Sequence, residues 1–334
     1  MKIDIYNHIF PTAFFDKMME VAPQLADMGK RVRDVPVLFD LEARFRVMDQ
    51  FDDYAQVICL PGPPMELWAG PDLTPEIARL ANDGMAECVS KHPDRFLGFV
   101  ASLPMNNPEA ASEEIDRAIK DLKAVGIQFS SNIKGAPLDL PEFKPLFAKA
   151  AEYDLPIWIH PSRGVNFPDY LTEDKSEYEI WWTFGWPYET SAAMARIVFG
   201  FYFDEFPNLK IITHHMGGMI PYFEGRVGPG WDQLGSRTTH KDLTPILNKL
   251  KKPHLDYFKM FLADTALFGS LDGTICGLKF FGVDNVLFAS DSPFDPEKGP
   301  GYIRETIKVI DALPVSEAER QKIYEGNARR LLKL

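Results

Sequence analysis

Short apolar runs alternate with longer amphipathic ones from one end of the chain to the other. The short runs fall at 2–6, 55–60, 96–101, 126–130, 156–160, 209–214, 260–264 and 285–290. Their β-branched and aromatic content, as in Ile157-Trp158-Ile159 and Lys210-Ile211-Ile212-Thr213, predicts strands rather than helices. The stretches between them predict helices. Residues 108–124 open on Pro108, which suits a first helical turn, and carry Glu109 early, where an acid favours the helix dipole. Residues 141–153 and 188–204 are of the same kind. Strand–helix alternation predicts parallel strands joined by crossover helices. Eight such units predict an α/β fold closed into a (β/α)8 TIM barrel, as a single domain over residues 1–334. The rival is a doubly wound open sheet, but no GxGxxG turn follows the first strand. Segments 12–39 and 162–185 are too long for simple connections and predict insertions in the βα loops.

Composition narrows the function classes. The chain has 334 residues, 46% of them hydrophobic, enough for a large core. The formal net charge is -12 and the acids are dispersed, with no basic stripe, which argues against a nucleic-acid partner. No run of about 20 apolar residues is present to span a membrane, and the start of the chain has no signal-peptide pattern. Cys59, Cys88 and Cys276 lie far apart without a CxxC motif. They read as thiols in a reducing compartment, so the expected location is cytoplasmic.

Ligand-type side chains stand at the ends of several strands. His8 follows the first strand, His160 ends the fifth, His214 and His215 end the sixth, and Asp291 ends the eighth. In a barrel, the C-terminal strand ends converge on one mouth, where the chemistry is done. A lone histidine would read as structural; four separate strands each delivering such a group read as a site. Strand alternation puts Asp4, Tyr6 and His8 on one face, and Leu287, Ala289 and Asp291 on one face. It sends His214 and His215 to opposite sides, so that one of them enters the barrel. Asp264 ends the seventh strand and could line the pocket, as could Ser130 and Ser131 at the fourth. The 162–185 insertion and its flank carry Phe167, Tyr170, Tyr178, Trp181, Trp182, Phe184 and Trp186. These rings either wall a pocket for a planar substrate, with Trp182 among the contacts, or pack beneath a long loop. His92, His240 and His254 read as surface groups.

The opening Met1–His8 resembles the first strand of the amidohydrolase-2 group, which contains aminocarboxymuconate-semialdehyde decarboxylase and the γ-resorcylate-type decarboxylases. Further matches are ARFRVMDQ (43–50), ASLPMNNPE (101–109), IWIHPSRG (157–164), FGWPYET (184–190), HHMGGMIPYFEGR (214–226) and LFASDSPF (287–294). The resemblance implies that His8, His160 and Asp291 are metal ligands. It makes His215, the histidine before Met216-Gly217-Gly218, the catalytic histidine. It places Arg44 near a substrate carboxylate, and it implies a homodimer or homotetramer. One departure stands out. The family's first strand carries His-x-His or Glu-x-His, whereas this chain has Tyr6-Asn7-His8. Tyr6 is then a phenolate ligand, a substrate contact, or the mark of a site that has lost its metal.

The function that the resemblance implies is a metal-dependent non-oxidative decarboxylase of an aromatic or unsaturated carboxylic acid. The cofactor would be a divalent metal, zinc first and manganese second. Asp291 would protonate the carbon that loses CO2, which requires a raised pKa, and His215 would orient or deprotonate a bound group. The alternative on the same barrel is a metal-dependent hydrolase or hydratase acting on a lactone, an amide or a carbon–carbon bond. A degraded barrel with a binding role is the third reading.

Overall fold

A computed structural model describes residues 1–25 and 27–334. Residue 26, within the expected 12–39 insertion, lies outside the described residues. The eight expected strands all form. They are β1 (Lys2–His8), β2 (Tyr54–Cys59), β3 (Phe96–Ser102), β4 (Gly126–Ser130), β5 (Ile157–His160), β6 (Ile211–Thr213), β7 (Leu262–Asp264) and β8 (Val286–Leu287). They lie in one sheet in chain order, each parallel to the next. β1 then meets the β8 segment through Ile5 N–H to Phe288 O (3.1 Å), Asp291 N–H to Tyr6 O (3.0 Å) and His8 N–H to Ser292 O (2.8 Å). The sheet thus closes on itself as a (β/α)8 barrel, with helices packed around it.

Two apolar layers hold it together. The barrel lumen is filled by Ile3, Ile5, Val57, Val100, Trp158, Ile212, Leu262, Leu287 and Ala289. Burying such side chains contributes roughly 1.5–3 kcal/mol each. Trp158 is the largest of them. Its indole N–H donates to the Ile5 carbonyl (3.2 Å), and its ring lies where a Cβ on Gly126 would sit, at 2.4 Å. Glycine at 126 is therefore a packing requirement. The second layer lies between strands and helices. The helix Pro108–Lys120 shows how it is built: Asn107 caps it by accepting from Ala110 N–H (3.2 Å), and Ala111, Ile115 and Ala118 face the barrel.

Element boundaries differ from the sequence expectation in instructive places. β1 runs on to His8, and the last three strands are shorter than expected. The helix expected at 188–204 is Gly185–Phe199 followed by a separate turn, Tyr202–Glu205, because Phe201 takes a left-handed φ of 65°. β1 also carries a bulge: Asp4 pairs with Gln56 but Asn7 pairs with Ile58, one residue more on β1 than on β2. The extra residue breaks the two-residue alternation. Asp4 consequently leaves the face of Tyr6 and His8 and bonds Tyr54 Oη (2.6 Å) and the Ser290 hydroxyl outside the lumen. Among the described residues, no helix is long and apolar enough to cross a membrane.

Candidate active site

The C-terminal ends of β1, β5, β6 and β8 bring His8, His160, His214, His215 and Asp291 to one buried cluster. His8 Nε2 lies 2.9 Å from Asp291 Oδ1. His214 Nε2 is 3.3 Å from the same oxygen, and His215 Nε2 is 3.7 Å from Oδ2. Both histidines of the pair therefore face Asp291, against the expectation that one would point away. The reason is local. β6 ends at Thr213, and His215 and Met216 have left-handed φ values of 53° and 54°, so strand alternation no longer applies. Asp291 has a φ of 62°. Non-glycine residues rarely sit in this region, and when they do they cluster at functional sites. The glycines after Met216 make the turn feasible: Gly218 has a φ of 62°, and a Cβ there would meet the Pro187 carbonyl oxygen at 2.4 Å.

A ligand set for a metal emerges from these distances. One nitrogen each from His8 and His214 and one oxygen of Asp291 lie within 4.8 Å of one another. His160, expected as a ligand, stands next to this set, and His214 joins it although the sequence expectation did not include it. The His160 ring stands 5.6 Å from that of His8 and 5.7 Å from that of His214, so it borders the set. The nitrogens not facing the cluster are fixed: His8 Nδ1 by Leu60 O (3.2 Å), His160 Nδ1 by Pro161 O (2.7 Å) and His214 Nδ1 by the Asp264 carboxylate. Such partners hold a metal-binding imidazole in the tautomer that leaves Nε2 free. His214 Nε2, both ring nitrogens of His215 and the Tyr6 hydroxyl are buried with no hydrogen-bond partner. Unpartnered buried polar atoms are costly, and this group of them, with His214 Nε2 and His215 Nε2 beside the Asp291 carboxylate, fits a site that takes up a cation and a polar ligand.

Electrostatics assign protonation states. Burial disfavours the Asp291 carboxylate, but the His214 charge beside it, with the His215 imidazole and the hydrogen bond to His8, outweighs burial and holds the group well below the usual carboxylate range. This overturns the expectation of a raised pKa: in the free site Asp291 is a carboxylate, suited to a cation. Burial pulls His214 down, yet the Asp264 charge and hydrogen bond, reinforced by Asp291, raise it to about 9. Burial lowers His160 strongly and His8 and His215 as well, leaving them neutral at pH 7. Burial raises Tyr6 well above its ordinary value, so it stays a phenol. Its ring stacks on His214 at 3.8 Å. That disfavours the phenolate-ligand role and leaves the hydroxyl as a hydrogen-bonding group.

The raised His214 pKa has a measurable consequence. In chelator-treated protein, its folded value of about 9 exceeds the ordinary 6.5. The charged form then stabilises the fold fully below pH 6.5, and that contribution disappears as pH rises through 9, at most about 3 kcal/mol. Calorimetry should show the metal-free midpoint falling across this window and a His214→Gln variant losing that slope. A flat wild-type profile would refute the assignment.

Other expected contacts stand elsewhere. Arg44 is 1% exposed, and every guanidinium nitrogen bonds protein: Nε to Gln56 Oε1 (2.8 Å), Nη1 to His8 O (2.6 Å) and Nη2 to the Asn7 side-chain oxygen. It braces the end of β1 from behind and does not reach a substrate carboxylate. Arg44→Met should therefore cost about 3–5 kcal/mol in urea unfolding, because it strands buried acceptors. A large rise in KM at unchanged stability would speak for substrate contact instead. Asp264 accepts from His215 N–H and Ala266 N–H (both 3.0 Å) as well as from His214, and so positions the histidine pair. Trp182 donates to Glu179 (2.9 Å) and meets the site only through Trp186. Trp186 is the ring that does reach it, 5.6 Å from His160 and 6.5 Å from His215. Phe268 and Phe294 complete the wall, 5.4 Å from His215 and from His8 respectively. Tyr170, Tyr178 and Phe184 of the insertion are exposed. His254 is buried, not at the surface, and bonds Gly228 O (3.0 Å).

The amidohydrolase family profile matches residues 3–334. The chain belongs to the amidohydrolase family. Within that family it is 32% identical over 307 residues to the gamma-resorcylate decarboxylase of Rhizobium sp. (strain MTP-10005), covering 89% of this chain and 88% of that one. It is 28% identical over 354 residues to the 2-amino-3-carboxymuconate-6-semialdehyde decarboxylase of Dictyostelium discoideum, covering 100% of this chain and 92% of that one. Its fold is similar to the crystal structure of the dihydroxybenzoic acid decarboxylase of Polaromonas sp. JS666 with bound manganese and the inhibitor 2-nitroresorcinol. That match has a TM-score of 0.80 and 28% identity, and covers 100% of this chain and 97% of that one. These amidohydrolase relatives are decarboxylases, and the last of them holds a divalent metal.

Proposed function

We propose that this chain is a metal-dependent non-oxidative decarboxylase of a hydroxylated aromatic carboxylic acid, hence a carbon–carbon lyase. One observation carries the reading: His8, His214 and Asp291 present ligand atoms within 4.8 Å of one another at the barrel mouth. His8, Asp291 and His214 would hold the ion, with His160 beside them as the ligand nearer Trp186. The imidazole-rich set suits zinc, and the similar Polaromonas protein holds manganese, so the reading admits either ion. When bound, the ion supplies positive charge that holds substrate oxygens and stabilises electron density left on the ring.

The chain's own residues do the rest. Trp186, Phe268 and Phe294 enclose a planar ring and exclude water from it. The Tyr6 hydroxyl, unpartnered in the protein, donates to a substrate oxygen. Decarboxylation breaks the bond between ring and carboxylate, releases CO2 and leaves the electron pair on the ring carbon, where a proton must be added. His215 and Asp291 are both unprotonated in the free site, so the pair would first take up one proton from solvent, shared across the 3.7 Å between His215 Nε2 and Asp291 Oδ2, and then give it to the ring carbon. Homodimer or homotetramer formation is part of the same reading. The apolar groove lined by Tyr188, Ala195, Phe223 and Trp231 offers a surface for it, and light scattering measures the mass directly.

Product analysis tests the reaction. Metal-loaded protein incubated with 2,6-dihydroxybenzoate should release CO2 and resorcinol in equal amounts, and chelation should stop it. Absence of CO2 from every hydroxybenzoate, with water added to an unsaturated acid instead, would transfer the site to the hydratase class.

A further inference from the structure

A second group of unpartnered polar atoms lies beside the metal-binding cluster. A cavity of about 30 Å³ opens between the ends of β2, β3 and β4. Its lining includes Glu66, Ser102 and Gln128. Glu66 Oε1, Ser102 Oγ and Gln128 Oε1 are all buried without a hydrogen-bond partner. Glu66 is 2% exposed and Ser102 is 5% exposed. Burial pushes the Glu66 carboxyl up to about 7, against its own backbone N–H and Lys134. Three buried polar atoms around one small cavity call for hydrogen-bond partners from within it, since each costs stability when unpaired. The other walls, among them Phe14, Met65, Leu103 and Met105, are apolar.

The cavity shares a wall with the site described above. The Leu60 carbonyl accepts from His8 Nδ1 (3.2 Å) and from Gln128 Nε2 (3.1 Å). Ser130, also in the lining, is the register partner of His160. The cavity has room for two or three non-hydrogen atoms, since a single water needs about 10–15 Å³. Glu66 and Gln128 present acceptors, and Ser102 can do either.

We infer that this cavity is a specificity subsite that receives a small hydrogen-bond donor, a hydroxyl or amino substituent, carried by the ring of the substrate acid. The inference rests on the proposed binding of an aromatic acid at the metal cluster. Glu66 and Gln128 accept from the substituent, Ser102 completes its hydrogen bonds, and the apolar walls refuse anything larger or charged without a donor. Acids that differ only at that ring position are sorted here, away from the reacting carbon.

Calorimetric titration of the manganese-loaded protein tests this without turnover. The ligands are benzoate, 2,6-dihydroxybenzoate and their isomers bearing one further hydroxyl or amino group. One ring position should tighten binding roughly 10- to 100-fold over the acid lacking the group. Glu66→Leu should abolish that gain, and Ser102→Ala should reduce it. Both should bind the unsubstituted acid as the wild type does. Ser102→Ala strands no buried partner, Glu66→Leu frees only the backbone N–H of residue 66, and the near-isosteric Ser102→Ala keeps the test sound should Glu66→Leu misfold. A stronger gain from the amino isomer than from the hydroxyl isomer assigns the donor as nitrogen, and the reverse assigns it as oxygen. No gain at any position, or a gain that survives both variants, overturns the subsite. Failure of the decarboxylase reading is visible separately, as absence of CO2 while these affinities persist.

Discussion

A His8→Ala variant is expected to purify with essentially no bound metal and to lose decarboxylation by roughly 10³-fold or more. The argument starts from geometry. His8 is fully buried, its Nδ1 is fixed by the Leu60 carbonyl, and its Nε2 stands 2.9 Å from Asp291. It joins the first strand to the last across the closing seam of the barrel. Removing it takes one of the proposed ligands and leaves a carboxylate facing a cavity. A metal contributes several kcal/mol to stabilising charge in the transition state, and each 1.36 kcal/mol is a factor of ten in rate. Elemental analysis and a CO2 assay measure both consequences. A variant that keeps full metal content would show that His8 is structural and that the ion sits elsewhere.

The second large effect is expected at His215 and has the opposite signature. His215→Asn should keep the metal and the fold while lowering kcat by about 10²–10⁴-fold, the range for loss of a proton-transfer group. Asparagine is the informative substitute because the backbone there has a φ of 53°, which asparagine tolerates better than most residues. Strain is then not the cause of the loss. Both His215 ring nitrogens lack protein partners, so the change strands nothing. The pH–rate profile adds a second readout. If His215 relays the proton, the variant loses a limb of the profile along with the rate. Equal activity, or loss of metal together with activity, would contradict the assignment.

The barrel was legible because its signal is repeated: eight apolar runs with β-branched centres, each followed by an amphipathic stretch. The cluster at the mouth was legible for the same reason, since strand ends in a barrel converge whatever the side chains. What could not be read was anything that depends on departures from regular geometry. The bulge in β1 removed Asp4 from the face of Tyr6, and no residue type in Lys2–His8 announces it. The left-handed turn at His215 and Met216 brought both histidines inward. The signal for it was present in Gly217-Gly218, which mark a backbone that must turn sharply. Arg44 was read by resemblance as a substrate contact. Its actual partners, Gln56 and the β1 carbonyl and amide groups, depend on how the helix Leu41–Met48 packs, which periodicity does not report. Trp186 lay in view among seven aromatic residues, but which ring reaches the histidines is decided by the start of the helix Gly185–Phe199. The Glu66 cavity needed three loops brought together and had no linear motif.

Asp264 explains how the fold tunes the site from behind. It joins the histidine pair to the end of β7, holding the His214 ring and the His215 backbone with one carboxylate. The same contact raises His214 to about 9, so metal uptake at the proposed site would displace a proton from it, and affinity should weaken as pH falls.

The most direct test of the central claim is a titration of manganese into chelator-stripped protein with CO2 release as the readout. The account predicts no release without metal, a linear rise, and a break at one ion per chain. Full decarboxylation by the stripped protein, or no decarboxylation at any loading, would contradict it.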